Sequence, residues 1–296
     1  MENQTRNPVS ANAILCTLTM SVWAGTKTDR GAGDDLTELQ SAKRGSAKVV
    51  KSLLGDCTEL REVLRISNQA RQTLKAVTLP WIDRGARLVP VARYTKVQSM
   101  LLQCQHDFYT ALDALVDVYS DRIAQSRVSL GGMFDEADYP PLEDIRARFA
   151  MNFVFSPVPE NGDFRIKVAD DAIAELQSQY AQAMDDTVKE GIGGAMSAAC
   201  AVFERLSERL TALDAHDGYG TKPRLTASLV ESIHEALDLV RDGNVIDSPY
   251  VADAHRQLRN VANTLDVDEL RVSARIRQGA QQDIKDAIAN LPSLGF

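Results

Sequence analysis

The residues able to do chemistry in this chain are few and scattered. Gly25-Thr26-Lys27-Thr28, followed by Gly31-Ala32-Gly33-Asp34-Asp35, falls between a strand pattern and a helix pattern. A phosphate-binding loop belongs in that context, because glycines let backbone N–H groups face an anion and a helix start adds positive potential. The spacings GxxxxGK[ST] and GxGxxG are both absent, and Asp34 and Asp35 would repel phosphate, so they read as N-cap residues of a surface connection. The histidines His106, His216, His234 and His255 are too far apart in sequence for a readable metal site. On a helix, Cys104-Gln105-His106 cannot aim both side chains at one point, because helical neighbours lie three or four residues apart. The pairs Asp34-Asp35, Asp170-Asp171 and Asp185-Asp186 point about 100° apart on a helix, so adjacency in sequence is not adjacency in space. Serine nucleophile elbows and HExxH sequences are missing. The reading is therefore of a non-enzyme with no catalytic residue, no metal and no cofactor.

Basic side chains offer a second chemistry. From Lys27 to Lys96 there are 14 Lys/Arg against 8 Asp/Glu, in a chain whose net charge is −8. Lys43, Arg44, Lys48 and Lys51 recur at helical spacing, and Arg61, Arg65, Arg71 and Lys75 follow on the next helix. Clustered cations can track a phosphate backbone, which makes nucleic-acid binding through the 27–96 region the alternative reading. Interleaved Glu59 and Glu62 favour a solvated helical face instead. Residues 1–150 carry 19 Lys/Arg against 18 Asp/Glu and the remainder 14 against 23, so the carboxy-terminal half is the acidic one.

These side chains must be held by a mainly α scaffold with a small β component. Thr17 to Trp23 alternates strictly, with Leu18, Met20 and Val22 on one face, and period two means a half-buried strand. Val77–Ile82, Arg87–Val91, Met151–Phe155 and Phe164–Val168 are further strand candidates, the last two joined by a hairpin at Asn161-Gly162. Asp56 with Glu59 makes a capping-box start for a helix. Val97, Leu101, Cys104, Phe108, Ala111, Leu115 and Val118 alternate steps of four and three, a heptad seam that suits either an internal or an intermolecular helix partner. From Ile173 to Leu213 the apolar positions keep a 3.6-residue period through Gly191, Gly193 and Gly194, which predicts one long helix. Each glycine costs about 1 kcal/mol there relative to Ala, so Gly193, Gly194 and the small residues to Ala199 predict close approach of another helix. Pro223 opens a helix that Gly243 closes, Ser248-Pro249 opens another, and Asp266 or Asp268 caps a final helix ending at Pro292.

The whole therefore divides into an α+β part, residues 1–168, and an all-helical bundle, residues 169–296. Composition is that of a folded protein, with 44% hydrophobic and 25% charged residues. Cys16, Cys57, Cys104 and Cys200 form no CxxC pair, and reduced thiols in a cytoplasm are the simplest reading. Ala11–Ala24 is too polar for a signal peptide, and the apolar run Gly191–Phe203 is shorter than the roughly 20 residues a membrane span needs.

The strand ending Ser21-Val22-Trp23-Ala24-Gly25-Thr26-Lys27, then Leu79-Pro80-Trp81, Val89-Pro90-Val91 and a long helix with Phe108 and Tyr119, resembles an uncharacterised family of tailed phages and conjugative elements. The resemblance covers roughly residues 12–170 and rests chiefly on Trp23-x-Gly25-x-Lys27; the carboxy-terminal bundle has no counterpart in it. It implies a non-catalytic interaction or adaptor protein of a mobile element, because genes of that family sit near those for a MoxR-like AAA+ ATPase and a von Willebrand A-domain protein. The surface for protein partners, the AAA+ ATPase that the resemblance implies among them, or for a homo-oligomer is read from spacing instead: Val97, Leu101, Phe108 and Leu115 of the heptad seam and the small residues Gly193 and Gly194.

Overall fold

The structure is a computed structural model and describes residues 8–83, 85–159, 170–216 and 223–291. Helix makes up 69% of it and strand 12%, so the fold is mainly α with a small β component. The elements in chain order are α1 (Pro8–Asn12), β1 (Ala13–Ser21), β2 (Thr26–Asp29), α2 (Arg30–Leu39), β3 (Val49–Ser52), α3 (Thr58–Val77), β4 (Leu79–Pro80), β5 (Ala86–Pro90), α4 (Tyr94–Leu130), α5 (Leu142–Ile145), β6 (Ala150–Pro157), α6 (Asp170–Asp214), α7 (Ala227–Asp242), α8 (Pro249–Asn263), α9 (Val267–Val272) and α10 (Ala274–Ala289). No described helix is long and apolar enough to cross a membrane. The expected hairpin at Asn161-Gly162 and strand Phe164–Val168 lie outside the described residues.

Two compact units form, and both are discontinuous in sequence: Met1–Thr17 with Lys75–Val97 and Phe155–Phe296, and Leu18–Leu74 with Gln98–Val154. The expected boundary at residue 169 is thus replaced by several chain crossings. The reason lies in the core of the first unit, where Val9, Leu15, Leu79, Trp81 and Leu88 from the amino-terminal half pack with Ile192, Phe203, Ile233 and Leu258 of the helical bundle. Apolar strand residues without enough helix of their own to bury them gain about 2 kcal/mol each by joining the larger core.

In this first unit β1 runs antiparallel to β5, from Ala13 opposite Pro90 to Thr17 opposite Ala86, and β5 pairs with β4 through Leu79 opposite Leu88. Within this unit the strand order is β4-β5-β1. The alternation expected from Thr17 onward is present, with Leu18 and Met20 half-buried, but the strand starts four residues earlier, where Ala13, Leu15 and Cys16 are buried. Helix α6 runs unbroken through Gly191, Gly193 and Gly194, as its apolar period predicts. Its seam of Met184, Val188, Ile192, Ala195, Ala199, Phe203, Leu206 and Leu210 faces the core.

Two helix starts differ from expectation. Helix α7 begins at Ala227, not Pro223, because Leu225 is drawn into the core and its carbonyl accepts two hydrogen bonds from Arg271 at 3.0 and 2.8 Å. Asp266 caps a helix as expected, accepting from the amides of Asp268 and Glu269, but that helix is the short α9; Ser273 then caps α10 by accepting from Ile276. One expected final helix is two.

In the second unit β2 and β3 pair antiparallel, Thr26 opposite Ser52 and Asp29 opposite Val49, with α2 between them. Helix α3 starts at Thr58, and Asp56, expected as its cap, instead faces Arg61 at 3.2 Å. Tyr119 packs edge-on against Trp23 at 6.1 Å and donates its hydroxyl to the Pro140 carbonyl at 2.9 Å. Tyr139 likewise donates to the Leu53 carbonyl at 2.8 Å.

Candidate functional site

The heptad seam is core. Val97, Leu101, Phe108 and Leu115 are each fully buried within the chain, so they offer no surface to a partner. A heptad pattern records only that an apolar stripe is covered, and here the rest of the protein covers it. The basic row also dissolves on folding. Lys43, Arg44 and Lys48 lie in the exposed irregular connection after α2, and Lys51 sits in β3, so the expected helix does not exist there. Ser41 and Gly45 take positive φ angles of 51° and 82° in this connection, which no helix tolerates.

Lys51 is built into the unit. Its ammonium, only 7% exposed, meets Asp138 at 2.5 Å, Asp29 at 3.6 Å and the Met133 carbonyl at 2.8 Å. Lys27 reaches the same Asp138, whose side chain is 1% exposed. The hydrogen bond to Asp138 raises Lys51 above the usual lysine range despite the opposing effect of burial. Burial pushes Asp138 up, but hydrogen bonds from Lys27 and Lys51 outweigh it and leave the carboxyl below the ordinary value. Asp29 also caps α2 by accepting from the Ala32 amide at 3.0 Å, displacing Asp34 and Asp35 from the role expected of them. Asp138 therefore holds Lys27 of the Gly25–Asp35 segment and shares Lys51 with Asp29, and Asp34 pairs with Arg44 at 3.1 Å.

The thiols are not poised for attack. Burial raises Cys16 to about 11 and lifts Cys57, Cys104 and Cys200 as well, which suppresses the thiolate. All four are free. Cys57 donates to Glu59 at 3.3 Å, and Glu59, hydrogen-bonded by its own backbone amide, by Cys57 and by Arg122, is lowered to about 2.

Two histidines do meet, through an arginine. Arg259 lies 2.8 Å from His234 Nδ1 and pairs with Asp238, while Arg93 and Asp242, 6% and 11% exposed, pair at 2.9 Å. Burial first, then Arg259 and Arg241, lowers His255 below the ordinary imidazole value. No group of three or more metal-ligating side chains occurs among the described residues.

The glycines of α6 separate into two kinds. A Cβ on Gly191 would stand 2.8 Å from Pro80 Cδ, so close approach is real there, against a strand rather than the expected helix. Gly193 and Gly194 have open space at the Cβ position, and Gly194, Ser197 and Ala198 are exposed. A third feature had no motif to announce it: Arg205 and Arg209 of α6 and Arg224 ahead of α7 line one groove of about 650 Å³. The spacing 205 to 209 is visible in sequence, but nothing there brings Arg224 beside them. Comparison with protein-family models, curated proteins and solved structures returned no match.

Proposed function

We propose that the protein acts by association rather than catalysis, using the outward face of α6 around Gly193 and Gly194 as its contact surface. The observation that carries this reading is the pair of helix-interior glycines with nothing against them. Each costs about 1 kcal/mol relative to Ala, and Gly191 alone has a neighbour in the chain that forbids a side chain. Ser197 and Ala198 continue the same exposed face without charge, between Glu190 and Glu204. Small residues on a helix face let a second backbone approach closely, the arrangement a helical partner needs. The partner is a second copy of the chain or, as the family resemblance implies, an AAA+ ATPase. The nucleic-acid alternative loses its basis in Lys51, which is buried in ion pairs, and keeps Lys43 and Lys48 as exposed cations.

The test replaces Gly193 and Gly194 together by Leu. Light scattering and co-purification should show association lost while the fold persists, because Leu is a better helix former than Gly. A protein that stays monomeric at high concentration before mutation and retains no partner in pull-downs overturns the reading.

A further inference from the structure

We infer that the groove between the end of α6 and the start of α7 is a binding site for a small phosphate ester. The argument begins with charge. Arg205 and Arg209, one helical turn apart on α6, and Arg224, in the extended segment before α7, line the same groove. None of the three has a carboxylate at ion-pair distance among the described residues. Arg93, Arg241, Arg256, Arg259, Arg271 and Arg277 of the same unit each do. Three guanidiniums against one carboxylate, Glu208, leave the concavity net positive, and an anion bound among the arginines lowers their mutual repulsion.

The groove is built rather than incidental. Arg271 holds the Leu225 carbonyl with two hydrogen bonds, and Leu225 is buried, so the backbone is anchored at the residue that follows Arg224. Beside it Thr226 and Ser228 share a hydroxyl contact at 2.9 Å, and the Thr226 side chain leaves the first turn of α7 uncapped. No acidic residue stands in that turn. Planar guanidinium forks match the paired oxygens of a phosphoryl group, and hydroxyls complete the donor set.

Size and charge pattern choose the ligand class. A groove of about 650 Å³ is of the volume that holds a small organic molecule. Glu208 lines it too and would accept from a sugar hydroxyl of the ester, a neutral donor set apart from the phosphoryl group that inorganic phosphate does not offer. Along α6, Glu204 and Glu208 interrupt the arginines, an arrangement that opposes a polyanion strand laid lengthwise. These residues are distinct from the Gly193–Gly194 face, so the site stands independently of the association reading.

The experiment is calorimetric titration of the full chain at low salt with glucose 6-phosphate and with pyrophosphate. Both should bind saturably, glucose 6-phosphate the tighter, and Arg209→Gln and Arg224→Gln should each weaken binding by about tenfold or more. Both arginines are exposed and have no ion pair among the described residues, so thermal melts of the variants should match the parent. Glucose and glutarate are the controls for the sugar and for carboxylate. No saturation by either phosphate compound at 10 mM, glutarate binding as tightly, or unchanged affinity in both variants overturns the assignment. So does an oligonucleotide that binds more tightly through the same arginines.

Discussion

Lys51 illustrates how little a residue type says before its neighbours are known. In sequence it is the fourth cation of a basic row; in the fold it is the buried centre of an ionic knot with Asp138, Asp29 and the Met133 carbonyl. Removing Lys51 leaves Asp138 buried with Lys27 as its remaining ion-pair partner and one oxygen without its donor, so Lys51→Met should destabilise the protein by roughly 1–3 kcal/mol in urea unfolding. Lys43→Met, at an exposed and irregular position, should change stability by less than about 0.5 kcal/mol. The pH dependence follows from the shifts. Asp138 is depressed, so its contribution is present above the ordinary aspartate value of 3.8 and disappears as pH falls through the lower folded value. Lys51 is raised, so its contribution is full below 10.5 and is lost as pH rises through the higher folded value. Glu59 adds a second acid-side loss between 4.5 and about 2. Unfolding midpoints in denaturant should therefore be highest between about pH 5 and 10 as far as these groups decide, and the Asp138→Asn variant should show a shallower fall below pH 4.

At the scale of the element, α6 makes opposite demands at positions two and three residues apart. Gly191→Ala should destabilise, because the new methyl meets the Pro80 ring at 2.8 and 3.2 Å and a proline ring cannot swing aside. Gly194→Ala should stabilise by about 1 kcal/mol, since the position is helical, open and exposed. Thermal or chemical unfolding of the two variants checks the contrast. Equal effects at both sites would mean that the strand contact does not constrain the helix. Both glycines look alike in sequence, and only the course of β4 distinguishes them.

For the whole molecule, charge sets how association and anion binding respond to salt. With a net charge of −8, copies of the chain repel, and screening relieves this, so contact through the uncharged Gly193–Gly194 face should strengthen from 50 to 300 mM salt. Phosphate binding at Arg205, Arg209 and Arg224 should weaken over the same range, because the interaction is between opposite charges. Light scattering and calorimetry on one preparation separate the two. A common direction would tie both readings to a single surface.

Periodicity carried the local part of this fold. The 3.6-residue phase from Ile173 to Leu213 requires α6 whatever surrounds it, and the alternation of Leu18 and Met20 requires β1. Caps were legible only in part: Asp266, one of two candidates, caps α9, whereas Asp29 took the place expected of Asp34 and Asp35 before α2. Long-range choices were not. Whether the seam from Val97 to Leu115 faced a partner or the protein's own core is undetermined by spacing, because burial produces the same pattern in both cases. Arg271 claiming Leu225 across 46 residues shortened α7, and Asp138 claiming Lys27 and Lys51 across 111 and 87 positions drew Lys51 inside and left Lys27 half exposed beside it. Local backbone preference acts over a few residues, whereas an ion pair or a buried apolar contact is made with whichever group the chain's course brings near. The groove of Arg205, Arg209 and Arg224 is of that second kind: α6 sets one turn of it, and the fold alone supplies the third cation.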